Sequence, residues 1–155
     1  MKNFIQLFFF ISFLFLFNNL LADIEKGNWN FVKENNYCYI GSLPVNSDIP
    51  EGKKRGDVYI LVYRINNNPD TIIQINSGYP YKNEESVNVK IDKKNYEFYA
   101  DEDSAWTNND KEVVFAMKKG VKLTVSGISS RGTKTVDTYT LNGFTASYNK
   151  LTKDC

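Results

Sequence analysis

Arg131 and Asp137, six positions apart near the end of the chain, are the side chains best placed to do chemistry together. Asp137 lies in a run, Lys134 to Leu141, rich in the Thr, Val and Tyr that favour a pleated surface. There it shares parity with Tyr139 and Leu141. If that face is the buried one, the carboxylate needs a partner, because an isolated buried charge is very costly. Arg131, in the adjoining turn Ser129-Ser130-Arg131-Gly132, predicts a two-pronged clamp onto Asp137. The alternative is an Arg131 that faces outward and binds an anionic group. Ser129 or Ser130 with a nearby Lys would make a Ser–Lys dyad by proximity alone. A second concentration of polar groups is Asp101 to Asp110, where Asp101, Glu102, Asp103, Asn108, Asn109 and Asp110 offer the oxygen ligands that calcium prefers. The run lacks the regular spacing of a calcium loop. It reads as an acidic surface turn, with Trp106 an apolar plug beneath it.

The chain has no His, which removes the Ser–His and Cys–His nucleophile arrangements. No Gly-rich phosphate loop or nucleotide fingerprint is present. Asp and Glu are plentiful, but no spacing singles out a pair for glycoside hydrolysis. The residues therefore predict a non-catalytic protein with no cofactor. Cys38 and Cys155 are the only cysteines. In an exported chain they are expected to pair, closing a long loop worth about 4–5 kcal/mol by chain entropy; two free thiols are the alternative. A zinc site is a poor fit, since such sites need three or four Cys or His ligands.

Export is predicted from residues 1–22. Lys2 gives a positive start, Phe4 to Phe17 is apolar except for Gln6 and Ser12, and Ala22 precedes Asp23. That core suits a signal peptide, cleaved after Ala22, better than a membrane span of about 20 residues; an uncleaved N-terminal anchor is the alternative. Asp23, not Cys, follows the cleavage point, so the site is not one for lipoprotein acylation. Loss of Lys2 leaves eighteen basic residues against eighteen acidic ones, and residues 23–155 carry no net charge. That balance exerts no global pull on nucleic acid or anionic lipid, and contact with a membrane is expected only in transit through the signal peptide.

The elements that must position these groups are strands. Asn30–Lys33 and Tyr37–Ser42 flank the turn Glu34-Asn35-Asn36, with Trp29 a core aromatic at the entry. Pro44 to Gly56, including Lys53-Lys54-Arg55, reads as a solvated connection. Asp57 to Ile65 is continuously apolar, which predicts a central strand covered on both sides. Asn66 to Asp70 is a strong turn leading into Thr71–Asn76. Ser86–Ile91 and Tyr96–Ala100 alternate around the turn Asp92-Lys93-Lys94-Asn95. Val113, Phe115 and Met117 alternate in a further strand, and Lys119-Gly120 turns it into Val121–Ser126 with a residue that tolerates positive φ. Phe144, Tyr148, Leu151 and Cys155 fall on one helical face, so a short C-terminal helix would cover a sheet edge and carry Cys155 to Cys38. The predicted fold is all-β: a single antiparallel β-sandwich domain over 23–155, with about eight short strands and that helix.

Several segments resemble the invasion-associated locus B family of secreted bacterial proteins. They are Ala116-Met117-Lys118-Lys119-Gly120, Val125-Ser126-Gly127, Ser129-Ser130-Arg131-Gly132-Thr133, Asp137-Thr138-Tyr139-Thr140-Leu141 and Gly143-Phe144. Upstream, Ser77-Gly78-Tyr79-Pro80, Val89-Lys90-Ile91-Asp92 and Ala105-Trp106 fit the same pattern, so the likeness runs from around Trp29 to Cys155. The resemblance implies a protein of the periplasm, outer envelope or exterior of a Gram-negative bacterium that binds another envelope or cell-surface protein. The alternative is a small-ligand or glycan-binding module using exposed aromatics such as Tyr79, Tyr81 and Trp106. A flat apolar patch on the sheet would favour the first, and a concave pocket with aromatic walls the second.

Overall fold

The computed structural model describes residues 23–155, and the expected signal peptide with its cleavage after Ala22 lies outside the described residues. The first strands follow the sequence reading closely. β1 (Asn30–Lys33) and β2 (Tyr37–Ser42) form a hairpin, and β4 (Tyr59–Ile65) pairs with both β2 and β5 (Ile72–Asn76). Between them lies β3 (Asn46–Asp48), and the middle of the chain supplies β6 (Val87–Ile91), β7 (Lys94–Asp101) and β8 (Ser104–Trp106). Helix α1 (Asp110–Lys119), strands β9 (Lys122–Ile128) and β10 (Lys134–Thr140), and helix α2 (Phe144–Asp154) complete the chain. Among the described residues, no helix is long and apolar enough to cross a membrane.

The strands join in the order β1-β2-β4-β5-β8-β7-β6-β9-β10-β3, every strand pair antiparallel. β7 belongs to both halves of this sheet. Its Lys94–Phe98 portion pairs with β6, and Tyr99–Asp101 with β8. The connection from β2 to β3 dictates the curvature. Leu43, Pro44 and Val45 alone separate two strands that lie near opposite ends of the order. So short a link forces the sheet to curl until its ends approach. Ile40, Ile60, Val62 and Ile75 from one half then meet Val87, Val89, Leu123 and Val125 from the other in one core. Each such side chain contributes roughly 1.5–3 kcal/mol on burial. The all-β expectation holds, with ten strands among the described residues in place of about eight.

β4 is covered on both faces over Ile60–Val62, as its apolar run predicts, but its far end is open: Tyr63 is half-buried and Ile65 is 50% exposed. Ile60 and Val62 enter the main core, while Leu61 packs outside with Tyr39 and Ile24. α2 also matches: Phe144 and Leu151 are fully buried, and Trp29 packs edge-on against Phe144 at 4.9 Å while its Nε1 donates to the Thr140 carbonyl. The helix delivers Cys155 to Cys38 in a disulfide with Cα atoms 5.9 Å apart.

Four expectations are corrected. The alternating run at Val113–Lys118 is not a strand but the body of α1. Val113 and Met117 share a face under both a two-residue and a helical period, so they could not separate the two. Phe115 does: a strand would bury it with them, and it is 59% exposed while Val114 is buried instead. Asp110 and Glu112 in the first turn and Lys118 and Lys119 in the last also suit a helix dipole. Gly120 has φ −80°, not a positive value. It is required by space, because a Cβ there would lie 2.7 Å from Ile91 Cγ2 and 2.8 Å from Leu141 Cδ1. Finally, the Pro44–Gly56 connection contains β3, which lies against β10, and the acidic run after Asp101 contains β8.

Candidate functional site

The predicted Arg131–Asp137 clamp does not form. Asp137 is on the inward face of β10, 1% exposed, and its partner is Arg55 from the connection expected to be solvated. The guanidinium is bidentate: Nη1 donates to Oδ2 at 2.9 Å and Nη2 donates to Oδ1. Ser47 Oγ, on β3, donates to Oδ1 at 2.8 Å. Arg55 Nη1 also reaches the Ser77 carbonyl at 3.4 Å. The Arg55 side chain is 8% exposed. Burial opposes its charge, and the hydrogen bonds and charge of Asp137 more than restore it, so its pKa is raised. Sequence parity identified the buried carboxylate correctly. It did not identify the arginine, because nearness in sequence favoured Arg131 while β3 brings the Lys53–Arg55 segment across the sheet.

Two glycines allow that approach. Gly56 N–H donates to the Gly78 carbonyl at 2.7 Å, and Gly78 has φ +70°. A Cβ on Gly78 would fall 2.5 Å from the Gly56 oxygen, so the Ser77–Pro80 loop can rest on the Arg55 loop only without one. Tyr79 and Tyr81 follow, edge to face at 5.4 Å, and lie over Gly127 of β9, where a Cβ would meet the Tyr79 hydroxyl and the Tyr81 ring. The hydroxyls of Tyr79 and Thr135 are hydrogen-bonded at 2.7 Å, and those of Tyr81 and Ser77 are also bonded. Burial pushes the phenols of Tyr79 and Tyr81 up, and that of Tyr139 well above its usual range. Among the described residues the buried Tyr139 hydroxyl has no hydrogen-bond partner.

Above this polar floor is a cleft of about 340 Å³ between the Lys53–Arg55 segment, the Ser77–Pro80 loop and the turn after β9. Lys53, Lys54 and Arg131 stand around it, and Tyr79, Ser129, Ser130, Thr133 and Thr135 contribute hydroxyls. No carboxylate lines it. Among the described residues Lys53, Lys54 and Arg131 form no ion pair. The turn is tightly held: Ser129 N–H donates to the Thr133 carbonyl, Thr133 N–H donates to Ser129 Oγ at 3.1 Å, Ser130 N–H donates to the Pro80 carbonyl, and Gly132 has φ +83°. Arg131 is thus exposed at the tip of a rigid turn. Ser129 Oγ is engaged by that backbone N–H, and among the described residues no Lys ammonium hydrogen-bonds Ser129 or Ser130, so the Ser–Lys dyad is not assembled.

The other singled-out residues lie elsewhere. Met117 is fully buried, Gly120 ends α1, and Lys118 sits over the Tyr148 ring at 4.2 Å. Trp106 is half-buried in β8 opposite Tyr99, part of the sheet and not a plug beneath a loop. Tyr81 is buried, so it is not an exposed binding aromatic. Beyond it opens a trough of about 510 Å³ lined by Glu84, Glu85, Glu97 and Glu102. Among the described residues no three Asp, Glu, Cys or His groups are placed to hold a metal ion.

On the outer face of β2, β4 and β5, a third hollow of about 430 Å³ is lined by Tyr37, Tyr39, Leu61, Tyr63 and Ile65, with Asn36 and Gln74 at its border. Tyr37 and Tyr39 stack at 6.1 Å, and Ile65 is 50% exposed.

Residues 38–152 match the family model described as "Invasion associated locus B (IalB) protein". The crystal structure of invasion associated protein B from Bartonella henselae shares the fold, with a TM-score of 0.58 at 17% identity, over 81% of this chain and 92% of that one. No curated protein matches the chain in sequence.

Proposed function

We propose that this chain, which belongs to the invasion-associated locus B family, is an exported envelope protein that acts by binding and not by catalysis. Its partner is another envelope or cell-surface protein, seated on the outer face of β2, β4 and β5. The observation that carries this reading is the aromatic character of that face. The second face of an antiparallel sheet is commonly polar where it meets water. Here Tyr37, Tyr63 and Ile65 stand partly exposed around a floor of Tyr39 and Leu61. Tyrosine-rich apolar surface with a polar border has the composition of a protein-binding patch. The apolar leader over residues 1–22 and the Cys38–Cys155 bond support a periplasmic or extracellular setting. The absence of His from the sequence and the engaged Ser129 hydroxyl support a non-catalytic role.

The test is site-specific photo-crosslinking in the native envelope, with the photoreactive residue at Ile65 or, as a control, at Lys93 in the β6–β7 turn. A discrete heavier adduct from position 65 that position 93 does not give is the expected result. No adduct, or the same adducts from both positions, would overturn the reading. A small-ligand-binding module is the second reading, and the Tyr79-walled cleft favours it.

A further inference from the structure

We propose that the cleft between the Lys53–Arg55 segment and the Ser129–Thr133 turn binds a phosphomonoester. The chain from residue 23 onward has no net charge, so the three unpaired cations here are a local concentration and not part of a general field. Lys53 and Lys54 approach from one loop and Arg131 from another. Cations converging from two sides suit a group with several anionic oxygens better than a single carboxylate. The hydroxyls of Ser130 and Thr133 add neutral donors on the same wall, and Tyr79 supplies an aromatic side for the body of the ligand. The volume of about 340 Å³ accommodates a sugar-sized molecule.

The buried ion pair is what makes the site rigid. Arg55 spends its own charge on Asp137, so it positions the neighbouring Lys53-Lys54 without being a free ligand itself. The hydrogen bonds within the Ser129–Thr133 turn do the same for Arg131. Two loops are thus fixed before a ligand arrives, which lowers the ordering entropy of binding.

The site rests on different residues from the aromatic face, and the two proposals can fail separately. The test is a titration of isotope-labelled protein from Asp23 to Cys155, followed through its backbone amide signals at low and at physiological salt. The probes are inorganic phosphate, glucose 6-phosphate, glucose, acetate, and phosphatidylcholine vesicles with and without phosphatidic acid. Saturable shifts at Lys53–Arg55 and Ser130–Thr133 with phosphate or glucose 6-phosphate, weaker with added salt, are expected. Arg131→Ala, and separately the double variant Lys53→Ala/Lys54→Ala, should each weaken binding about tenfold, in line with the loss of a charge-assisted hydrogen bond. Their thermal melts should match the wild type. A response only to phosphatidic acid vesicles would assign the phosphate to a lipid headgroup, and a response to the soluble probes to a free or sugar-borne one. The proposal is overturned if none of the phosphate probes gives a saturable response, if acetate or glucose binds as well, or if the variants bind like wild type.

Discussion

Two of the long-range ties in this chain differ in kind. Cys38–Cys155 joins the C-terminal helix to β2 across a sequence separation of 117. Arg55–Asp137 joins a loop to β10 across a separation of 82. The covalent tie acts largely by restricting the unfolded chain. The ionic tie depends wholly on its surroundings. Its two charges have been taken out of water, and their value lies in satisfying each other. Removing one cysteine therefore relaxes the chain, whereas removing one charge leaves an active defect in the core. The ionic tie also fixes the loop that carries Lys53 and Lys54, so it has a consequence for the site that the disulfide lacks.

That contrast can be broken by measurement. The largest effect is expected from Arg55→Ala, which strands Asp137 and should cost about 3–5 kcal/mol in denaturant unfolding. The double replacement Arg55→Met/Asp137→Leu should recover most of that loss; if it does not, hydrogen bonding to Ser47 and Ser77 matters more than charge. Next comes the double variant Cys38→Ala/Cys155→Ala, expected to lose about 2–4 kcal/mol. An unchanged melt, or two titratable thiols in the native protein, would deny the bridge a role. Ser47→Ala removes a hydrogen bond to a buried carboxylate and should cost about 1.5–3 kcal/mol. Arg131→Ala should change stability by less than about 0.5 kcal/mol, as expected of an exposed side chain. A loss comparable to that of Arg55→Ala would restore the clamp between Arg131 and Asp137.

The elements legible in the sequence are those set by local pattern. β1 and β2 are bounded by a polar turn, β6 and β7 alternate cleanly, and α2 presents Phe144, Leu151 and Cys155 on one stripe. The misread elements are those where local pattern is degenerate. Val113 and Met117, four apart, satisfy strand and helix alike, and only the environment of Phe115 separates them. β3 and β8 have three residues each, too few to show any period.

The sequence by itself determined that the chain is largely antiparallel sheet and that Asp137 points inward, because alternation and parity are properties of residues and their neighbours. Only the tertiary structure decided which arginine answers Asp137, and that charges balanced along the chain are sorted into one basic cleft and one acidic trough. Those outcomes depend on the curl of the sheet, which carries β3 to β10 and places Arg55 beside a carboxylate far away in sequence; no local pattern encodes that distance.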